Sequence, residues 1–268
     1  MPAPDLPPPP PHTITERPLT VHLHANHVRA DDLNGAVVVV IDNLRASVTI
    51  TTALANGAPY VAPCLTAADA LARAAHIRES GVGKLPLLGG ERGGVKIDGF
   101  DLDNSPRAYT ADAIEERPIV FTTANGTAAI ELARGAARVL IGSFVNLTAI
   151  VRAVADDPRP VHLLCCGTRE EVSLDDCLPA GAMMQRLLSL GRQSVADDSG
   201  LLCMHAFRSA MAGTGGLVAA MRSSRGGRNL IRIGLEADID LCSRLDIFPI
   251  VPELIPDKNI IVPAVQKT

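Results

Sequence analysis

The chain contains no tryptophan, and only 3% of its 268 residues are aromatic although 47% are hydrophobic. The core must therefore be assembled from Ala, Val, Leu and Ile, a composition suited to helices packed on a largely buried sheet. Basic runs are missing too: 25 Lys and Arg stand against 29 Asp and Glu, for a formal charge of -4. That balance argues against a nucleic-acid partner. None of the six cysteines, at positions 64, 165, 166, 177, 203 and 242, belongs to a CxxC pair, so neither a disulfide framework nor a zinc knuckle is expected and reduced thiols in a cytoplasm are. No stretch reaches the roughly 18 apolar residues of a membrane span, and no basic segment followed by an apolar core opens the chain. Four of the seven histidines fall within residues 12–27 without metal-binding spacing, and no GxxxxGK[ST] phosphate loop is present.

Residues 1–18 include Pro7 to Pro11 and little that could pack, so they are expected to form an extended or mobile leader ahead of a domain spanning 19–268. The length suits one large α/β domain or two closely packed halves. Val37 to Ile41 is an uninterrupted β-branched run, the pattern of a central strand covered on both faces. Arg45 to Asn56 has a helical pattern ending at Asn56-Gly57, and a short strand at Tyr60 to Ala62 follows. The alternation continues: a helix at Thr66 to Arg78, a glycine-rich loop from Gly89 to Pro106, a strand at Pro118 to Phe121, and a helix at Thr127 to Ala133. Strands at Val139 to Ile141 and Val161 to Leu164 flank a helix at Leu147 to Val154, and another helix starts after Asp175. This alternation predicts a layered α/β/α fold with a largely parallel or mixed sheet and a site at the strand carboxyl ends. A faint echo between Ala53–Val61 and Glu131–Val139, each a helix end, glycine turn and strand start, fits either a duplicated βαβ unit or ordinary helix-ending chemistry used twice.

Polar clusters repeatedly follow the strands: Asp42-Asn43-Leu44-Arg45-Ala46-Ser47, Gly90-Glu91-Arg92-Gly93-Gly94, Thr122 to Thr127, Gly142 to Asn146, and Cys166-Gly167-Thr168-Arg169. Small residues there let backbone N–H groups approach an oxyanion, and Arg adds charge-assisted hydrogen bonds. A carboxylate at Asp42, ending a buried strand, needs a metal, an arginine or a helix N-terminus to cap. Glu91 by itself reads as a solvated loop charge, and Asp175 and Asp176 read either as ligands for a hard cation or, as their pattern favours, as the capping first turn of a helix. Asp238 and Asp240 open a further helix whose acids are expected mostly in a solvated first turn, with one of them left open to face the site. Cys165 and Cys166 read as buried structural thiols, because no C-x5-R phosphate cradle surrounds them.

In order along the chain, these clusters resemble the 2-phosphosulfolactate phosphatase family. The carriers are Val40 to Ser47, Gly90 to Pro106, Thr122 to Thr127, Ile141 to Asn146, Ser173 to Asp176 and Phe248 to Pro252. Asn43 stands where the family usually has an apolar residue, and Asp175-Asp176 stands for its Glu-Asp. The resemblance implies a cytoplasmic, magnesium-dependent hydrolase of coenzyme M biosynthesis that releases sulfolactate from a small, highly anionic phosphorylated substrate; a homo-oligomer is left open. It raises Asp42, Glu91 and Asp176 as metal-site residues, with Asp42, Arg45, Glu91 and Arg92 as the catalytic set. Ser47, Asn104, Ser105, Asn125, Gly126, Thr127, Asn146, Gly167 and Thr168 are the expected substrate contacts. Leu44 occupies the second acidic position of the DxD signature of aspartyl-phosphate phosphatases, so a covalent role for Asp42 stays open. The alternatives are a phosphatase for another phosphorylated hydroxy acid and a non-catalytic anion-binding protein.

Overall fold

A computed structural model of the protein describes residues 17–194 and 198–264. Residues 1–16 of the expected leader lie outside the described residues; Pro18, its last position, already opens the first strand. In chain order the elements begin with β1 (Pro18–His22), β2 (Val37–Ile41), α1 (Ala46–Ala55), β3 (Val61–Pro63), α2 (Ala67–Ser80), β4 (Leu87–Arg92) and β5 (Val95–Lys96). The middle of the chain forms α3 (Ala111–Ile114), β6 (Ile119–Thr122), α4 (Gly126–Leu132), β7 (Arg138–Gly142), α5 (Leu147–Ala155), β8 (Val161–Cys165), α6 (Leu174–Ser189) and β9 (Gln193–Ser194). Four helices follow, α7 (Asp198–Ala212), α8 (Gly216–Ser223), α9 (Arg225–Arg232) and α10 (Glu236–Cys242), and then a hairpin of β10 (Pro252–Ile255) and β11 (Ile260–Pro263).

The strands form one mixed, mostly parallel sheet in the order β5-β4-β6-β3-β11-β10-β7-β2-β8-β1-β9. β2 lies inside the sheet, in five-residue parallel register with both β7 and β8 and buried at all five positions. Val37, Val39 and Ile41 face a core with α5 and α6, while Val38 and Val40 face a second core with α1 and α4. Two covered faces explain why this strand reads as a continuous apolar run rather than as an alternation. A third, smaller core joins Ala62, Leu88 and Val120 to α2.

The β10–β11 hairpin separates two parallel groups, β7-β2-β8-β1-β9 and β4-β6-β3. It is joined to each by one antiparallel pair, Glu253 with Leu140 and Ile261 with Val61. The crossovers exchange between the groups: β2-α1 leads into β3 on one side, and β6-α4 leads back into β7 on the other. Both segments of the sequence echo occupy this helix-to-strand position in their units. The exchange brings α1 and α4 side by side, with their first turns together.

The glycine-rich stretch from Gly89, expected as loop, contains strand β4 and the β4–β5 hairpin. Gly89 and Gly90 are there for space. A Cβ on Gly89 would overlap the Tyr109 hydroxyl, and one on Gly90, at φ +147, would overlap the Thr122 carbonyl of β6. Gly181 plays the same part between α6 and α7, since an added Cβ would overlap the carbonyl oxygen of Cys203.

On β1 and β8, His22 Nε2 and His162 Nδ1 are 2.7 Å apart. Burial, then His22, holds the His162 imidazole down at about 4, with Asp32 opposing. Below the ordinary imidazole value of about 6.5 the unfolded chain binds a proton that the folded one refuses. This contribution to stability is therefore complete above that pH and is lost as pH falls towards 4. His162→Gln is expected to flatten the fall in melting temperature between pH 7 and pH 5 relative to the parent protein. Parallel melting curves for the two proteins would show that the pair does not titrate in this way.

Candidate functional site

The loop after β2 folds back on itself. Ser47 N donates to the Asp42 carbonyl at 2.8 Å, Asp42 N donates to Ser47 Oγ at 2.9 Å, and Ser47 Oγ donates to Val40 O at 3.3 Å. This turn sets Asp42 at the mouth of α1, where its Oδ1 accepts from Ala46 N at 3.3 Å. The capping reading of Asp42 is thus realised with one oxygen, and Oδ2 accepts no hydrogen bond from the described residues. Gly126, opening α4, comes so close that a Cβ there would lie 2.8 Å from Asp42 Oδ2 and 2.7 Å from the Ala46 Cβ. Only glycine admits this contact.

Three more carboxylates close around Asp42. Glu91, at the end of β4, accepts from Gly94 N at 2.7 Å and from Ala124 N at 2.8 Å, which ties the β4–β5 turn to the β6–α4 loop. Asp176, in the first turn of α6, accepts from Asn43 N at 2.9 Å and Gly167 N at 2.8 Å, joining the ends of β2 and β8. Asp175 accepts from Ser173 Oγ at 2.6 Å and takes further bonds from Ser224 and Gly226 at the start of α9. All four are buried. Burial, then Asp175 and Glu91, push the Asp42 carboxyl up to about 7, against the Ala46 N–H and Arg45. Burial, then Asp175 and Asp42, hold the Asp176 carboxyl well above the carboxylate range despite its two backbone donors. The cluster is rich in negative charge that its surroundings do not balance.

The cation nearest to hand is Arg45, itself 2% exposed. Its guanidinium is already engaged, by Asp238 Oδ2 at 2.7 Å and the Gly94 carbonyl at 2.8 Å. Arg92, expected as an anion clamp, is exposed and donates instead to the carbonyls of Glu91 and Leu65 and to Thr122 Oγ1. It clasps the loop from outside. Asn146 is fully occupied as well, accepting from Ser143 N and Oγ at 3.0 Å and donating to the carbonyls of Ile141 and Ile250. These bonds shape the β7–α5 turn and leave no amide group for a substrate.

Several other expected contacts brace the loops. Thr127 Oγ1 donates to Thr123 O at 3.0 Å, Thr168 Oγ1 bonds Ser173 Oγ at 3.2 Å, and Ser105 Oγ donates to Asp238 Oδ1 at 2.6 Å. Asn125 Oδ1 accepts from Arg169 N. Gly167, at φ +72, faces the His24 ring too closely for any side chain. Asn104 differs: it is 4% exposed and its Oδ1 has no partner. A buried amide without a partner is what a ligand would complete.

Of the acids expected in a mostly solvated first turn, Asp238 is the one that turns inward, at 1% exposed. Its helical neighbours at three and four residues, Leu235, Leu241 and Cys242, are apolar, and this spacing was the signal that its face points inward. Cys165 and Cys166 are buried as expected. Hydrogen bonds with Cys177 and Cys203, and burial, raise the Cys165 thiol, while burial raises Cys166. Neither can serve as a thiolate nucleophile at neutral pH.

Among the described residues, no three Asp, Glu, His or Cys side chains already converge on one coordination point. Magnesium, however, takes one or two carboxylates and fills its octahedron with water and substrate oxygens. The unbonded Asp42 Oδ2, in a buried cluster with excess negative charge, fits that demand, with Glu91 as the adjoining carboxylate. Asp176 matches Glu91, since in each both oxygens accept backbone N–H groups, and it adjoins Asp42 as well.

Residues 22–256 match the profile of a family described as 2-phosphosulpholactate phosphatase. A protein of Symbiobacterium thermophilum named "probable 2-phosphosulfolactate phosphatase" is 41% identical over 223 residues, covering 83% of this chain and 93% of the relative. Proteins of the same name from Deinococcus radiodurans and Caldanaerobacter subterraneus are 38% and 35% identical, over 84% and 85% of this chain and 90% and 92% of theirs. The chain belongs to the 2-phosphosulfolactate phosphatase family.

Proposed function

We propose that this chain is a magnesium-dependent phosphoric monoester hydrolase that converts 2-phosphosulfolactate into sulfolactate and phosphate. The names carried by its relatives supply the substrate. The observation that carries the reaction is the Asp42 carboxylate, buried with one oxygen unbonded at the contact of α1 and α4, beside Glu91 and Asp175. A divalent cation bound there would neutralise phosphoryl oxygens and offset the carboxylate cluster.

The residues of the chain supply placement. Asp42 and Glu91 hold the cation side of the site, and the Asn104 amide, turned so that its NH2 meets an anion, provides a neutral donor. Arg45 contributes positive charge at short range while holding the hairpin turn through Gly94. Since phosphoryl transfer asks chiefly for positioning and charge stabilisation, a site made of braced loops is suited to it. We assign Asp42 to cation binding rather than to a covalent phosphoenzyme, because Leu44 stands where the partner acid would be. The six free cysteines support a reducing, cytoplasmic setting, and the family's link with coenzyme M biosynthesis gives the pathway we propose.

The test is phosphate release from 2-phosphosulfolactate by the purified protein with magnesium and with chelator, run beside phospholactate and an aryl phosphate. Metal-dependent turnover should be greatest on the sulfonated substrate. Greater turnover of phospholactate would move the assignment to another phosphorylated hydroxy acid, and no release from any of the three would end the enzymatic reading.

A further inference from the structure

We propose that Asp238, on α10, is a positioning residue that holds both sides of the phosphatase site in register; the proposal rests on the phosphatase reading for its effect on turnover. Asp238 is buried and uses both carboxylate oxygens on groups from distant segments: Oδ1 accepts from Ser105 Oγ at 2.6 Å, and Oδ2 from Arg45 at 2.7 Å. Neither bond ends there. Through Ser105 it fixes the neighbour of Asn104, whose buried Oδ1 has no partner. Through Arg45 it reaches the Gly94 carbonyl at 2.8 Å, whose own N–H holds Glu91 at 2.7 Å, and Glu91 in turn accepts from Ala124 N at 2.8 Å.

This relay runs from α10 through the β2–α1 loop and the β4–β5 turn to the β6–α4 loop, ending two residues before Gly126. The hairpin turn is also seated on the same helical layer, since a Cβ on Gly94 would lie 2.8 Å from Ile233 and 3.0 Å from the Asn229 amide. A buried ion pair is rarely needed for stability, because well-packed apolar residues do as well. Its value here is geometric: one charge-assisted bond fixes a guanidinium whose other arm sets the turn carrying a site carboxylate.

Asp238→Asn keeps the shape and removes the charge. With folding checked by circular dichroism, its kcat/KM on 2-phosphosulfolactate is expected to fall about 10- to 100-fold, the range for residues that orient a site's ligands. In a Glu91→Gln background the same change should lower kcat/KM less than about threefold, because both act through one relay. Amide exchange at Gly94 and Ala124 should accelerate about tenfold or more in Asp238→Asn. Losses that multiply in the double variant, or unchanged exchange at those two amides, would overturn the proposal. If the parent protein releases no phosphate, the functional reading falls and the exchange measurement alone decides on Asp238. If Asp238→Asn does not fold, Arg45→Lys serves: it keeps the charge facing Asp238, loses the fork to Gly94, and should show the same faster exchange.

Discussion

Asp42→Asn is expected to abolish turnover, by on the order of a thousandfold or more, while raising the melting temperature of the metal-free protein. The loss follows from removing the carboxylate charge at Asp42 Oδ2, which accepts no hydrogen bond from the described residues. The gain follows from linkage. Burial, and then Asp175 and Glu91, push the Asp42 carboxyl up to about 7 in the folded chain, from an ordinary carboxylate value of 3.8. Between those pH values the folded protein holds a proton that the unfolded chain has released, so stability falls as pH rises through the window and the penalty is complete above 7. Asparagine keeps an acceptor for Ala46 N and never ionises. In chelator, the advantage of the variant should grow from pH 5 to pH 8, reaching an order of a few kcal/mol and several degrees in melting temperature. Magnesium should reverse the order by stabilising only the parent protein. A variant that retains turnover would remove Asp42 from the centre of the site, and one that melts lower in chelator at pH 8 would show that its charge is compensated.

Gly181→Ala is expected to unfold or severely destabilise the protein although it adds a single methyl group. The new Cβ would overlap the Cys203 carbonyl oxygen, a backbone atom of α7 that no rotamer change can move aside. Overpacking commonly costs about 1–3 kcal/mol, and a clash between two helix backbones belongs at or beyond the top of that range. Alanine favours a helix over glycine by about 1 kcal/mol, so intrinsic propensity pushes the other way and does not decide the outcome. The same substitution at Gly191, whose Cβ would meet nothing within 4 Å, provides the packing control; its φ of +84 makes it a strained position that should still cost much less. Urea denaturation at pH 7 compares the two. A Gly181 variant within 1 kcal/mol of the parent would show that α6 and α7 can separate freely.

The sequence made the elements legible wherever one period dominated. The run Val37–Ile41 is strand β2, and the helices read from Arg45, Thr66 and Leu147 start within a residue of those observed. Strand β4 was obscured because Gly89 and Gly90 look like loop, whereas close packing on Tyr109 and β6 demands them. The β10–β11 hairpin gave no comparable signal, since its partners lie far away in sequence. At the site, the resemblance brought together Asp42, Glu91 and Asp176, whose partners are backbone N–H groups that no spacing reveals. Arg45 looked like a free cation because its partner Asp238 lies 193 residues away. Asp175 was weighed as a hard-cation ligand or a helix cap, and it is the strongest charged influence on Asp42.

The placing of β10 and β11 between β7 and β3 gives the sheet a timetable. During synthesis the two parallel groups can each pair their own strands, but their inner edges, β7 and β3, stay open until the residues that fill the gap have left the ribosome. Until then the chain carries two unpaired edges, the kind of surface on which nascent chains join one another. Since β2–α1 and β6–α4 both cross that gap, a chain arrested before Pro252 would hold its four site carboxylates in roughly the right order along the polypeptide while lacking the wedge that sets the two groups apart. Gathering of the carboxylate cluster is thereby tied to a late-synthesised hairpin that supplies none of its groups.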